Sequence, residues 1–158
     1  MKILVFSDSH GSCGLMEAAV KLHMPDLTLF LGDGASDITA LRASYPELSV
    51  RCVRGNCDPA GFAPEKLIIE ESGKKIMMTH GHAYGVKLGL QRVFYAALEA
   101  QADIILFGHT HEAYRAEREG LIMLNPGSVG RGRNRSYALL ESDEAGNMKY
   151  QIRYAADM

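Results

Sequence analysis

Five apolar stretches of the 158-residue chain are each followed directly by side chains of types that bind metal ions. Each stretch has the length and aliphatic composition of a buried β-strand. Parallel strands bring their carboxyl ends to one edge of a sheet, so the loops that follow can build a common site. The polar residues, in chain order, are Asp8 and His10, Asp33, Asn56 with Cys57 and Asp58, His80 with His82, and His109 with His111.

The order of strand-like and helix-like segments predicts an α/β fold: two packed mixed β-sheets flanked by helices, in four layers (α/β/β/α). The first half alternates strands with helices, and we expect Ser36 to cap the second helix. We predict that the second half is mainly antiparallel and forms the second sheet. No linker divides the chain, so residues 1–158 are predicted to be a single domain. The predicted strands are 2–7, 27–31, 48–53, 67–71, 74–79, 103–107, 114–119, 121–124, 136–142 and 148–154, and the helices 13–23, 36–44 and 88–101.

Charge and cysteine content exclude several classes of protein. The net charge of −2 and the pI of about 6.3 do not suit a protein that binds bulk nucleic acid. The three cysteines share no Cys-x-x-Cys spacing, which argues against a structural zinc knot. No stretch approaches the roughly 18 apolar residues of a membrane span, and the N-terminus lacks the pattern of a secretory signal. We therefore expect a cytoplasmic protein without membrane contact; a homo-oligomer is compatible with the sequence.

The spacing of the polar residues indicates a metal centre. Asp8 and His10 are two residues apart, as are His109 and His111, so each pair can face one ion from a strand end. The mixture of carboxylate, imidazole and amide groups suits Mn²⁺, Fe²⁺, Co²⁺, Ni²⁺ or Zn²⁺ better than Ca²⁺. About seven ligands are too many for one ion and enough for two. Two ions that share a carboxylate, roughly 3.5–4 Å apart, serve displacement reactions at phosphorus.

The motifs Asp-x-His, Gly-Asp, Gly-Asn-x-Asp, His-Gly-His and Gly-His-Thr-His occur here in that order, followed by Asn125-Pro126-Gly127-Ser128. This set resembles the calcineurin-like metallophosphoesterases, in particular their small single-domain bacterial and archaeal phosphodiesterases. The resemblance implies two divalent ions, Mn²⁺ foremost, and a hydroxide between them that attacks the phosphorus of a small or nucleotide-like phosphodiester. It also implies the ligands: Asp8, His10 and His111 for one ion, Asn56, His80 and His109 for the other, and Asp33 as the bridge.

The residues that would assist catalysis and bind substrate are less uniform. Many members of this superfamily carry a histidine after the Gly-Asn pair, where this chain has Cys57. A thiol beside two dications is expected to have a lowered pKa and to be a poor general acid. His82 is the alternative proton donor. Asp58 is also assigned as a catalytic residue, and its simpler interpretation is that it supports a neighbouring loop.

For the substrate, we assign phosphate binding to Asn56 and to two arginines of the basic stretch 130–135, Arg131 and Arg133. The simpler interpretation of that stretch is a solvated loop.

Other residues have structural interpretations. We interpret His23 as a core histidine, Asp37 as an acid in the first turn of a helix, and Met77 and Met78 as core residues. Two other functions remain open. A retromer subunit shares the implied fold and serves as a protein-interaction scaffold, and a phosphomonoesterase is the third possibility. The intact ligand set favours the phosphodiesterase.

Overall fold

The computed structural model describes residues 1–158 and confirms the predicted fold class, with two mixed five-stranded sheets flanked by three helices. The strands are β1 (Lys2–Phe6), β2 (Leu27–Phe30), β3 (Val50–Cys52), β4 (Lys66–Glu71), β5 (Lys74–Thr79), β6 (Ile104–Leu106), β7 (Ala113–Arg118), β8 (Leu121–Pro126), β9 (Ser136–Ser142) and β10 (Met148–Tyr154). The helices are α1 (Gly14–His23), α2 (Ala35–Ser44) and α3 (Gln91–Glu99).

The strand order differs from the prediction in one respect. The first sheet has the order β10-β9-β1-β2-β3, and the second has the order β4-β5-β6-β8-β7. The prediction that the whole second half forms the second sheet is therefore wrong, because β9 pairs antiparallel with β1 and brings β10 with it. Each sheet keeps a parallel centre, β1-β2-β3 in the first and β5-β6-β8 in the second. The carboxyl ends of these parallel strands carry the metal-binding residue types.

Three hydrophobic clusters hold the four layers together. The central cluster lies between the two sheets and consists of aliphatic side chains and a methionine from both, among them Val5, Leu29, Met78 and Leu106. A second cluster packs α1 and α2 against the first sheet, and a third packs α3 against the second sheet. Burial of each large aliphatic side chain contributes roughly 1.5–3 kcal/mol before entropy is counted. Met77 and Met78 are fully buried, which confirms them as core residues.

Helix α2 begins differently from the prediction. It starts at Ala35 with Gly34 at the cap position, so the assignment of Ser36 as the cap is wrong. The acceptor comes from elsewhere in the chain: Asp58 Oδ1 accepts the backbone N–H of Gly34 at 2.9 Å and that of Ala35 at 2.8 Å. A local sequence pattern cannot reveal a cap that is supplied from 23 residues away.

No helix is long and apolar enough to cross a membrane.

Candidate metal centre

Asp8, His10 and His111 form the first group of potential metal ligands. They lie after β1 and after β6, more than 100 residues apart in sequence. His111 Nε2 is 3.1 Å from Asp8 Oδ1, and His10 Nε2 is 3.6 Å from the same oxygen. The two imidazole Nε2 atoms are 3.2 Å apart. The three ligand atoms lie within 4.8 Å of one another, close enough to bind one small cation together.

The second group consists of Asp33, His80 and His109, with Asn56 beside them. His80 Nε2 is 3.3 Å from Asp33 Oδ2, 3.2 Å from His109 Nδ1 and 3.1 Å from Asn56 Oδ1. The other ring nitrogen of His80 donates to the backbone carbonyl of Leu31 at 2.7 Å. Because that bond places the proton on Nδ1, the Nε2 lone pair points into the group.

The two groups are contiguous and share carboxylate oxygens. Asp33 Oδ2 lies 3.3 Å from His80 Nε2 and 3.8 Å from His10 Nε2, so it faces both groups. Asp8 Oδ1 likewise lies 3.8 Å from His80 Nε2. Asp8 is fully buried, yet its Oδ1 has no hydrogen-bond partner. A buried carboxylate oxygen without a partner is costly, and a cation at this point would satisfy it. The residues therefore fit a metal centre.

The backbone at this edge is held in an unusual conformation. Five of the seven predicted ligands have positive φ angles: Asp8 at 56°, His10 at 46°, Asp33 at 61°, His109 at 70° and His111 at 61°. Side chains other than glycine rarely adopt this conformation, and such residues cluster where function requires an exact side-chain direction. The strained loops aim both aspartates and three imidazoles at one point.

Asp58 organises the loops rather than facing the ligand groups. Its Oδ2 accepts the N–H of Asp33 at 2.7 Å and that of Gly55 at 2.8 Å, while Oδ1 accepts those of Gly34 and Ala35. All four bonds go to backbone donors, and the side chain is buried. The structure thus agrees with the loop-supporting interpretation of Asp58, and its assignment as a catalytic group stays a prediction.

Sequence reasoning missed three further residues that hold the site in place. Asp37 Oδ2 accepts from Ser9 Oγ at 2.6 Å and from the N–H of Gly11 at 2.8 Å, which fastens the loop after β1 to α2. Asn125 Nδ2 donates to the carbonyl of Gly108 at 3.1 Å. Ser128 Oγ donates to the carbonyl of Asp8 at 2.7 Å. The Asn125–Ser128 motif was the available signal, but its bonding partners cannot be read from sequence.

The pKa shifts of Asp33 and His109 favour cation binding, whereas that of His80 favours the protonated imidazole. Burial alone would raise the pKa of Asp33, but hydrogen bonds from His80 and from the backbone of Cys57 hold that pKa well below its usual range. Burial, followed by the charges of His80 and Lys87, lowers the pKa of His109 to about 4. For His80, burial acts to lower the pKa, and the neighbouring Asp33 and Asp8 outweigh it and raise it. At neutral pH the Asp33 carboxylate is charged and the His109 imidazole neutral, the forms that ligate metals.

Cys57 and His82 lie at the rim of the cluster. The Cys57 thiol belongs to a potential ligand group with His10 and Asp33, all ligand atoms lying within 4.8 Å of one another. Burial and the charge of Asp33 raise the pKa of this thiol, so the lowered value expected from the sequence would have to come from bound cations. The ring of His82 lies 5.4 Å from that of His80, and its Nε2 is 3.8 Å from Glu65 Oε1.

The basic loop lies beside the first group of ligands. Arg131 and Arg133 are exposed and line, together with His111, a cleft of about 460 Å³. The backbone N–H of Arg131 donates to Ser128 Oγ, which itself bonds to Asp8. Two guanidinium groups thus stand within one cleft at the edge of the cluster.

The sixth histidine, His23, lies outside the ligand groups. His23 is half-buried, and its Nε2 lies 2.8 Å from the hydroxyl of the buried Tyr137. The hydrogen-bonded pair agrees with the interpretation of His23 as a structural residue. All three cysteines are free.

Comparison with known proteins defines the class. Residues 1–145 match the family model of the calcineurin-like phosphoesterase superfamily domain. The chain belongs to this superfamily of metal-dependent phosphoester hydrolases. It is 38% identical over 150 residues to the probable metallophosphoesterase YsnB of Bacillus subtilis, covering 92% of this chain and 88% of YsnB. It is 28% identical over 172 residues to the phosphodiesterase YfcE of Escherichia coli, covering 90% and 89%.

Solved structures and a eukaryotic relative extend the comparison. A crystal structure of a predicted phosphoesterase from Streptococcus pneumoniae superimposes with a TM-score of 0.75 at 31% identity, covering 96% of this chain and 97% of that one. The chain is also 34% identical over 154 residues to vacuolar protein sorting-associated protein 29 of Schizosaccharomyces pombe, covering 91% of this chain and 79% of the relative. The extension of the family domain to all 158 residues as one domain stays a prediction.

Proposed function

We propose that the protein is a dinuclear metal-dependent phosphodiesterase. The observation that carries the proposal is the pair of contiguous ligand groups that share Asp33, with the unpartnered Asp8 Oδ1 between them. Asp8, His10 and His111 would hold one ion, and His80, His109 and Asn56 the other, with Asp33 between both. When bound, two divalent ions lower the pKa of water and neutralise the charge that develops on phosphoryl oxygens.

The residues of the chain prepare this chemistry. The bond from His80 Nδ1 to the Leu31 carbonyl keeps Nε2 free to ligate. Asp58 and Ser128 hold the loops of Asp33 and Asp8 at fixed positions, so little reorganisation is needed when substrate binds. In this proposal Arg131, Arg133 and Asn56 orient the substrate phosphate, and His82 or Cys57 supplies a proton to the leaving oxygen.

Two observations bear on the substrate. The segment between Asp58 and Lys66 contains no helix or strand, so no additional domain covers the cluster. The relative YfcE is named a phosphodiesterase, and we carry that activity to this chain as part of the proposal. Carboxylate, imidazole and amide ligands together suit divalent transition-metal ions, and Mn²⁺, the ion that the family resemblance implies, is the one proposed. Cytoplasmic location and a homo-oligomeric state stay predictions.

Metal removal and a ligand substitution test the proposal. We expect exhaustive chelation to abolish hydrolysis of bis(p-nitrophenyl) phosphate and added Mn²⁺ to restore it. Asp33→Asn should lower kcat/KM by at least about a hundredfold, more than the loss of an outer partner of a ligand. Asp26→Asn is the matched control, because Asp26 precedes β2 while Asp33 follows the same strand. Activity that survives chelation would overturn the proposal.

The two arginines are tested separately. If their guanidinium groups bind the substrate phosphate, Arg131→Ala and Arg133→Ala raise KM by at least about tenfold, as expected for the loss of a charged hydrogen bond of roughly 1.5–3 kcal/mol. Arg51→Ala, on the exposed face of β3, is the control. Unchanged KM values in both variants would leave the stretch as a solvated loop.

A protein-interaction scaffold is the second candidate, favoured by the likeness to the vacuolar sorting protein. It predicts that the metal-loaded protein hydrolyses neither diesters nor monoesters. Hydrolysis of p-nitrophenyl phosphate in preference to the diester would instead indicate a phosphomonoesterase.

A further inference from the structure

A second cleft is lined by the loop that carries His109 and His111. Its volume is about 510 Å³, within the range of sites that bind small molecules. Five of its eight lining residues are hydrophobic, Val86, Leu90, Phe107, Ala113 and Tyr114, and Lys87 and Glu112 add one charge of each sign. Phe107 is buried, whereas Tyr114 is 39% exposed.

This cleft is built on the same loops as the ligand groups. Thr110 lies between His109 and His111 in the chain. Val86 packs directly against the backbone of Gly81, since a Cβ at Gly81 would lie 2.8 Å from Val86 Cγ2. Gly81 in turn joins His80 to His82. The walls of the cleft are therefore direct extensions of both ligand loops.

The cleft also adjoins the arginine cleft. Glu112 and Ala113 line both. A cleft with two arginines and a cleft with aromatic side chains are therefore neighbours beside the centre. The rings of Phe107 and Tyr114 are tilted by 53° with centroids 6.2 Å apart, and Tyr114 is partly exposed, so part of its surface is open to contact with a planar group.

We propose that this second cleft, the aromatic subsite, takes an aromatic ring substituent of the phosphodiester whose phosphorus lies at the ligand groups. The substrate class is therefore an ester that carries a planar ring, an aryl group or a nucleobase, rather than a purely aliphatic diester. The inference rests on the proposed function. The contact between Val86 and Gly81 couples ring and phosphate binding, because a ring in the cleft lies against the loop that carries His80.

The test compares two monoanions that differ only in the ring, diphenyl phosphate and diethyl phosphate. Their dissociation constants are measured by NMR titration of the Zn²⁺-loaded protein, which does not require turnover. We expect tighter binding of diphenyl phosphate by the parent protein. Tyr114→Ala and Leu90→Gln should reduce that preference about three- to tenfold, the range for loss of an aromatic contact, and leave diethyl phosphate unchanged. Tyr114→Phe should retain the preference.

Tyr95→Ala is the matched control, because Tyr95 is an exposed tyrosine of α3 that does not line the cleft. Equal affinity of the parent protein for both phosphates would overturn the subsite. So would a preference that survives both substitutions, or an equal loss of affinity for both phosphates. The two proposals can fail separately. If the protein shows metal-dependent hydrolysis but the substitutions leave the preference for diphenyl phosphate unchanged, only the aromatic subsite is wrong. If the preference changes as expected but no hydrolysis is found, only the phosphodiesterase activity is wrong.

Discussion

The loops at the carboxyl ends of the parallel strands and the turns of the β-hairpins differ in where their hydrogen bonds go. In the turn after β9, Asp143 accepts the backbone N–H of Asn147 at 2.9 Å and its side-chain amide at 2.9 Å, four residues away. In the loop after β1, the carbonyl of Asp8 accepts from Ser128, 120 residues away. The turn after β9 is stabilised within itself, whereas the site loops are stabilised by one another.

Positive φ angles have different causes in the two regions. Ser72 and Glu119 adopt φ of 52° because a tight hairpin turn requires that conformation. His109, at 70°, and Asp8, at 56°, lie in loops that no hairpin closes. Asp8 Oδ2 accepts the backbone N–H of His109 at 3.1 Å, so each residue helps to hold the other. At the site, hydrogen bonds between loops maintain the positive φ angles, and these angles direct the side chains. In the turns, the same backbone conformation serves only to reverse the direction of the chain.

The largest predicted contrast comes from adding one methyl group to each region. In Gly55→Ala, the new Cβ would lie 2.0 Å from Asp33 Oδ1, so the carboxylate must move. We expect kcat/KM to fall at least about a hundredfold, as misplacement of a reacting group by an ångström can do. In Gly73→Ala, the Cβ meets open space at a φ of 73°. That variant should lose about 1–2 kcal/mol of stability and keep its activity. Hydrolysis rates and urea unfolding of both variants provide the measurement, and equal activities would break the contrast.

The second prediction removes one carboxylate from each region. Asp58→Ala leaves four backbone N–H groups without their acceptor. We expect a loss of about 3 kcal/mol in the free energy of unfolding and a fall of about 10–100-fold in metal affinity or activity. Asp143→Ala removes a carboxylate that bonds only within its own turn, so activity and metal affinity should stay unchanged. Metal titration by calorimetry measures the metal affinity of both variants. An unchanged affinity in Asp58→Ala would contradict the supporting role of Asp58.

A substitution at Cys57 tests whether a side chain at this position in the site can donate a proton to the leaving group. Cys57→His places an imidazole beside His10 and Asp33. A positioned general acid contributes about 100-fold or more, and we expect roughly tenfold from an imidazole without a supporting partner. The gain should appear on an alkyl diester, whose leaving alkoxide needs a proton, and be absent on an aryl diester. Rates of both substrates with the parent and the variant decide the matter, because a gain on neither, or the same gain on both, excludes proton donation from this position.

The smallest effect is expected from a substitution of His23. Its hydrogen-bond partner Tyr137 is 114 residues away in sequence, and both lie outside the site. Burial, followed by the charges of Arg153 and Lys2, lowers the pKa of His23 from 6.5 in the folded state. The folded protein therefore disfavours protonation, and stability is lost as the pH falls below about 6.5 towards the lower folded value. His23→Gln should make this decline shallower in metal-free protein and leave hydrolysis unchanged. Urea unfolding at several pH values tests it, and an unaltered slope would show that His23 does not contribute.

Much of the fold could be predicted from local pattern. Every predicted strand and helix is present, because apolar periodicity and turn residues such as Ser72-Gly73 act over a few positions. The direction of parallel strands explains why Asp8, Asp33 and Asn56 lie at one edge of the first sheet. The histidines after β5 and β6 belong to the second sheet, and the alignment of its edge with that of the first did not follow from the sequence. The partner of β9 did not follow, because pairing with β1 depends on the packing of both sheets rather than on the composition of either strand.

The sequence by itself determined which chemical groups are available and that they follow strands, since residue type and strand periodicity are local properties. Only the tertiary structure decided which atoms meet: Asp33 Oδ2 lies near both His80 and His10, Asp58 bonds to the backbone of the loops, and an aromatic cleft adjoins the centre. Those features are distances between segments that are separate in the chain, and such distances are set by the packing of the whole molecule.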